Sequence, residues 1–255
     1  MFRILCVLFI LQLAGCKQNS KGGGEQTLAD GESIPITKTN KVFAFDYNTT
    51  AVNRGNKVEF FLRDDETWAK QPAATFKIPV GTTNIFSFRG IALGVVKGSG
   101  VNFYVAGSNQ EWKMNPKVNL TITGGCDNIF ALNTESIVTT KGDKLDIYQP
   151  DDDGKWILKP ESSITIPRNN NGVFAVSEQS IGVIMGNKIE LYLVAGKGKY
   201  TLTPERTLTA VVPFEGVYGL HLGQINTVMG DKIEIYYFDE YRQWKHNSKA
   251  SFTLK

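Results

Sequence analysis

A run of seven residues returns through this chain at an almost constant interval, and that period constrains the fold more than any other feature. Gly142-Asp143-Lys144-Leu145-Asp146-Ile147-Tyr148 reappears as Gly186-Asn187-Lys188-Ile189-Glu190-Leu191-Tyr192 and again as Gly230-Asp231-Lys232-Ile233-Glu234-Ile235-Tyr236. Upstream it reads Gly55-Asn56-Lys57-Val58-Glu59-Phe60-Phe61, with a weaker copy at Gly98-Ser99-Gly100-Val101-Asn102-Phe103-Tyr104, so that successive glycines stand 43, 44, 44 and 44 residues apart. Trp68, Trp112, Trp156, Tyr200 and Trp244 keep a spacing of 44, as do Pro72, Pro116, Pro160 and Pro204, with Ser248 in the fifth slot. Phe43, Phe86, Phe130, Phe174 and Tyr218 step by 43, 44, 44 and 44. Three registers agreeing over five units define a fivefold repeat. Each repeat is then one supersecondary unit that buries its apolar face only against its neighbours.

Each unit reads as four short strands. In the third, Asn128 to Leu132 and Ser136 to Thr140 are strands one and two. The Gly142-Asp143 turn, whose residues tolerate positive φ, makes a tight hairpin into strand three, Lys144 to Tyr148. Trp156 to Pro167 supplies strand four with a bend around Pro160, tolerable on an outer edge that need not donate every ladder bond. On strand one, alternation puts Phe43/Phe45, Phe86/Phe88, Phe130/Leu132, Phe174/Val176 and Tyr218/Leu220 on one face, with Ala44, Ser87, Ala131, Ala175 and Gly219 on the other. A large face meeting a small face lets like sheets interdigitate around a crowded axis. The expectation is an all-β, five-bladed β-propeller of four antiparallel strands per blade, with repeats at 42–79, 84–123, 128–167, 172–213 and 216–255. Glu32 to Ile36 and Ala250 to Lys255 both match strand four, so two segments compete to close the ring.

The first sixteen residues, MFRILCVLFILQLAGC, carry a short positive start at Arg3 and an apolar run of ten from Ile4 to Leu13. Ten helical residues span about 15 Å, half a bilayer core, which suits a secretory signal and not a stable transmembrane helix. Leu13-Ala14-Gly15-Cys16 resembles the lipobox of bacterial lipoproteins. That resemblance implies cleavage before Cys16, a diacylglycerol on its sulfur and acylation of the new amino group, several chains holding far more firmly than one. It divides the chain into a signal over 1–15, a polar, Gly-rich tether over 16–31 and the propeller over 32–255. It also implies a bacterial cell-envelope address, with the membrane as partner through the lipid. With Cys6 lost and Cys16 acylated, Cys126 stands alone and has no disulfide partner.

The repeat also resembles, loosely, FG-GAP and WD-type propeller repeats across 42–255. The strand-three aromatic, polar hairpin and Trp of Tyr148…Asp151-Asp152-Asp153-Gly154-Lys155-Trp156 carry the likeness, without the Phe-Gly and Trp-Asp dipeptides that name those families. Five blades are also similar to tachylectin, a sugar-binding propeller, in blade count alone. These resemblances imply fold and not activity.

Charge and motifs narrow the function classes. Lys and Arg number 28 against 25 Asp and Glu, so nothing marks a nucleic-acid footprint, which needs basic residues gathered on one face. Two His and one free Cys make no zinc set, no P-loop, G-x-S-x-G elbow or H-E-x-x-H helix is present, and no cofactor is expected. The Asp151-Asp152-Asp153-Gly154 loop is not repeated in the other blades, as a fold-borne calcium site would be. The reading is a non-catalytic binding or protein-interaction module taking an envelope protein or glycan. A carbohydrate hydrolase or a lectin-like sugar binder is the alternative. Because propeller function resides in connections, the candidate surface is the set leading into the strands one: Asn84, Asp127, Asn128, Arg168, Asn169, Asn170, Asn171 and Glu215. His221 joins it as a candidate from the other end of strand one, in the slot held by Asp46, Arg89, Asn133 and Ser177, where five unlike polar residues would ring one mouth of the channel.

Overall fold

The computed structural model describes residues 42–253, apart from 47, 65–66, 72–73, 108–110, 161–162, 195–199, 203–205, 222 and 241–242. The signal, the tether, Cys16 and Glu32 to Ile36 lie outside the described residues. Five small antiparallel sheets follow one another along the chain. The first holds β1 (Val42–Ala44), β2 (Thr49–Arg54), β3 (Lys57–Asp64), β4 (Thr67–Lys70) and β5 (Phe76–Lys77), and the second β6 (Asn84–Phe88), β7 (Ala92–Lys97), β8 (Gly100–Ala106) and β9 (Trp112–Thr121). The third holds β10 (Asn128–Asn133), β11 (Ser136–Lys141), β12 (Lys144–Pro150), β13 (Trp156–Leu158) and β14 (Ile164–Thr165). The fourth holds β15 (Gly172–Ser177), β16 (Ser180–Met185), β17 (Lys188–Val194), β18 (Tyr200–Leu202) and β19 (Leu208–Thr209). The fifth holds β20 (Gly216–His221), β21 (Gln224–Met229), β22 (Lys232–Phe238) and β23 (Trp244–Thr253). The inner strands β1, β6, β10, β15 and β20 adjoin in that order, and β20 returns to β1, so the sheets are the blades of a closed five-bladed propeller.

The recurring proline slot decides the shape of the outer strand. In the first, third and fourth blades it falls between two short segments that both pair with strand three, as β13 and β14 pair with β12. In the second blade the strand stays continuous but bulges: Asn119 pairs with Asn102 while Asn115 pairs with Phe103, so 116–118 drop out of the ladder around Pro116. The fifth blade repeats that bulge around Ser248, between Asn247 opposite Ile235 and Phe252 opposite Ile233. A residue without an N–H, or one freed from donating it, is accommodated by local loss of pairing on an edge.

Blades are joined by a recurring aromatic clamp. The strand-four Trp of one blade packs on the strand-three Phe of the blade before it: Trp112 stacks on Phe60 at 5.5 Å and Trp156 on Phe103 at 6.5 Å. The ring closes with a variant of this device, Trp68 stacking at 4.6 Å on Phe252 of strand four, the position held by Phe76 in the first blade. Trp112 Nε1 donates to the Ala74 carbonyl at 2.9 Å, and Trp244 Nε1 to the equivalent Arg206 carbonyl at 2.7 Å, which satisfies the indole where it leaves water. The Trp series is thus inter-blade packing. At the seam, Val42, Val52 and Phe61 of the first blade share a core with Tyr218, Val228 and Ile235 of the fifth, and Thr50 Oγ1 and Tyr218 OH share a hydrogen bond of 3.2 Å. Burial pushes the Tyr218 phenol up to about 12. No described strand crosses the seam, and the Ala250 end belongs to β23 of the fifth blade.

The repeated Lys/acid pairs of strand three are structural. Lys57 and Glu59 meet at 2.9 Å and Lys144 and Asp146 at 2.8 Å, and Lys232 pairs with Glu234. Glu59 also pairs with Lys70 at 2.8 Å and with Arg54 at 3.2 Å. Burial alone would raise the Glu234 carboxyl, but hydrogen bonds from Lys232, Ser251 and His246 outweigh it and hold the group down at about 2 against an ordinary 4.5. A carboxyl depressed in the folded state contributes stability that is complete above its unfolded value and lost as pH falls toward the folded one. Chemical denaturation should therefore show wild type losing about 2–3 kcal/mol more than Glu234→Gln between pH 5 and pH 2.

Candidate functional site

The inner strands alternate side chains between the channel and the neighbouring blades, so five of them together wall an axial cavity of about 330 Å³. Its body is apolar, with Phe45, Ile85, Phe86, Phe130, Phe174 and Tyr218 on the wall. Its two ends differ. Where the strands begin, Asn128 Nδ2 donates to the Val173 carbonyl at 3.1 Å, its Oδ1 accepts from Ile129 N at 2.8 Å, and Asn84 Nδ2 approaches the same Oδ1 at 3.5 Å. That end is tied by side chains spanning the second, third and fourth blades.

The other end carries the charge. Asp46, Arg89, Thr134 and Glu178, each just past the end of an inner strand, lie together on the cavity lining, which shows that the inner strands run the same way along the axis. Arg89 stands at φ 50°, the sole non-glycine in the left-handed region among the described residues. Its guanidinium clamps the next blade, Nε donating to the Leu132 carbonyl at 2.8 Å while Nη2 donates to the same oxygen. Such a conformation persists only where surroundings over-determine it, and here the cross-blade clamp supplies that. Gly90 beside it combines φ 74° with a close approach, since a Cβ there would lie 2.7 Å from Asp46 Cβ. Asp46 in turn accepts from Asn48 N at 2.8 Å in an Asx turn.

Of the slot proposed to ring this mouth, the structure sets Asp46 and Arg89 on the lining. Asn133 donates to the Glu178 carbonyl at 3.3 Å, while the buried Ser177 shares a 2.6 Å hydrogen bond with Ser180 within the fourth blade. His221 ends β20 opposite Gln224, and its side chain lies outside the described residues. Thr134 and Glu178 were not singled out in the sequence, although both sit in turns one step beyond that slot.

The remaining candidates gather at the opposite face, where several hold the strand two–three hairpins. Asp127 Oδ2 accepts from Gly142 N at 2.7 Å, and Asn171, 44 residues on, accepts from Gly186 N at 2.8 Å. Arg168 Nε donates to Asp143 at 2.7 Å, and this exposed pair lowers the Asp143 carboxyl and raises the guanidinium. Asn170 Nδ2 donates to the Pro167 carbonyl at 2.7 Å, Asn169 and Glu215 are exposed, and the Glu215 backbone N–H donates to the Val228 carbonyl at 2.7 Å. Cys126 packs against the core of the second and third blades, where burial, and then Asp127, push its thiol up and away from a reactive thiolate. Among the described residues no cluster of metal-ligating side chains occurs, and no helix is long and apolar enough to cross a membrane.

No protein-family model matches the chain, and no curated protein does. Solved structures do resemble it. A protein from Lactobacillus plantarum aligns at 12% identity over 78% of this chain and 66% of its own, with a TM-score of 0.45. Kluyveromyces marxianus Hsv2 aligns at 10% over 85% and 100%, with a TM-score of 0.46. The SapL1 lectin, solved with alpha methyl fucoside, aligns at 11% over 81% and 77%, with a TM-score of 0.45. The chain spans less than two thirds of the Lactobacillus protein and 60% of Kluyveromyces lactis Hsv2. At these identities the likeness carries nothing about function, and what stands on the chain's own strand order is a closed five-bladed β-propeller.

Proposed function

We propose that this chain is a lipid-anchored protein of the bacterial cell envelope whose propeller is a non-catalytic binding module, taking the end group of a glycan or of an envelope protein at the charged mouth of its channel. The observation that carries the reading is the axial cavity of about 330 Å³, apolar in its body and rimmed by Asp46, Arg89, Thr134 and Glu178. Concave apolar sites with a few convergent polar groups are what small ligands occupy. The address rests on Leu13-Ala14-Gly15-Cys16, with Cys16 as the acylated residue. Binding is favoured over glycoside hydrolysis by three carboxyls among the described residues, Glu59, Asp143 and Glu234, which are shifted down, whereas a general acid needs a carboxyl held up.

One preparation tests both halves. Full-length protein labelled with palmitate should carry the label, and Cys16→Ala should lose it. The detergent-solubilised protein, screened by ligand-observed NMR against oligosaccharides and amino-acid amides, should bind without turnover. The exposed rim residue Thr134, changed to Trp, should plug the mouth, weakening that binding at least about tenfold with melting unchanged. Product release that a single Asp or Glu substitution abolishes would establish the hydrolase instead.

A further inference from the structure

The five blade interfaces are built from equivalent positions, and one of them is underfilled. The strand-one and strand-three residues that meet the next blade's Trp are Phe45 and Phe60 in the first blade and Phe88 and Phe103 in the second. In the fourth they are Val176 and Leu191, the smallest pair of the series. Where Trp112 is packed by Phe45, Phe60 and Phe76, the ring of Trp244 packs on Phe238 of its own blade, at 5.1 Å. The volume that two phenyl rings occupy in each of the first two blades is here a cavity of about 180 Å³ between the fourth and fifth blades, opening beside Trp244 and Phe238.

Polar groups converge on that space. Ser177 and Ser180, both buried, line it with hydroxyls bonded to each other at 2.6 Å, and Gln179 stands at its edge. Arg206 occupies the position that is Ala74 in the first blade; its carbonyl accepts from Trp244 as that of Ala74 does from Trp112, while its guanidinium lies 5.6 Å over the Phe238 ring. Among the described residues no carboxylate pairs with that guanidinium. A cation fixed on an aromatic face, at the edge of a pocket with an indole and two hydroxyls, is a receptor for an anionic ring with one apolar face.

We propose that this inter-blade cavity binds a single pyranose ring carrying a carboxylate, a uronate-type acidic sugar. The C–H face of the ring lies toward Trp244, its hydroxyls meet Ser177 and Ser180, and its carboxylate meets Arg206. The site is separate from the axial channel and stands whether or not the channel binds anything.

The full-length detergent-solubilised protein should be titrated with methyl β-D-glucuronide and with methyl β-D-glucoside, which has the same ring without the charge, using ligand-observed NMR. The glucuronide should bind at least about tenfold more tightly than the glucoside. Arg206→Gln should erase that difference, since it leaves the backbone bond to Trp244 in place. Leu191→Phe, which restores the residue type of the first two blades, should abolish binding of both, with its melting transition confirming the fold. Thr134→Trp should leave the glucuronide affinity unchanged, so loss of channel binding and loss of this site read out separately. Equal affinity for the two glycosides, no glucuronide binding, undiminished binding by folded Leu191→Phe, or loss of binding in Thr134→Trp would each overturn the proposal.

Discussion

Phe103→Ala should cost this propeller about 3–5 kcal/mol, the range for emptying a fully buried aromatic site, and lower its melting temperature by about 10 °C. Phe103 is 2% exposed and touches Phe88 at 5.3 Å, Phe86 at 6.3 Å and Trp156 of the next blade at 6.5 Å. Its removal therefore damages the core of one blade and the clamp to another together, and strands on both sides of the void cannot collapse without losing ladder register. Phe103→Leu should recover part of the loss, because it keeps most of the volume while forfeiting the ring contacts. Guanidinium denaturation of the two variants beside wild type measures this. A cost under about 1 kcal/mol for alanine would mean the clamp is not cooperative with the blade core.

Gly219→Ala should destabilise by about 3 kcal/mol although it adds a single methyl group. Gly219 lies on inner strand β20, and a Cβ there would stand 2.6 Å from the Ala175 carbonyl oxygen, from Val176 Cα and from the Val176 carbonyl oxygen. These are backbone atoms of β15, which have no rotamer to change, so the two inner strands must separate. The equivalent residues in the other blades are Ala44, Ser87, Ala131 and Ala175, each of which carries a Cβ in the same slot. The penalty is thus local to the closest approach of the fourth and fifth blades and owes nothing to left-handed backbone. Gly219→Val should fail to fold, while Ala44→Gly should cost under about 1 kcal/mol. The same denaturation series ranks the three.

The fold was legible because each blade restates it. The hairpin glycines and the alternation on strand one placed strands one to three of the third blade within about two residues, since period and turn chemistry act locally, whereas strand four, read as one run from Trp156 to Pro167, is split into β13 and β14 around Pro160. What the period could not express were deviations that matter only between blades. Gly219 reads as one more small residue until β15 is seen against it. Asp127 and Asn171 read as a variable polar surface, yet each accepts a hairpin N–H fifteen residues further along the chain, a contact set by the path of two connections. Arg89 reads as one of five unlike mouth residues, yet its guanidinium is spent on the next blade. The narrowing from Phe45 and Phe60 to Val176 and Leu191 was in principle visible in the aligned repeats. Its meaning required knowing that these positions face the following blade's Trp.

Because Trp68 meets Phe252 at the position where Trp112 meets Phe76, the seam between the fifth and first blades is an ordinary blade boundary that happens to lack a connecting loop. The strands impose no beginning: β23 ends and β1 starts as β5 ends and β6 starts one interface further round. The molecule is in this sense a circle of equivalent joints, and the break in the chain could stand at any of the five without altering a strand pairing. What the real break does decide is presentation. Chain entering at β1 comes in at the hairpin end of the ring, so under the proposed anchoring through Cys16 the membrane would face that end and the Asp46–Arg89 mouth would turn outward.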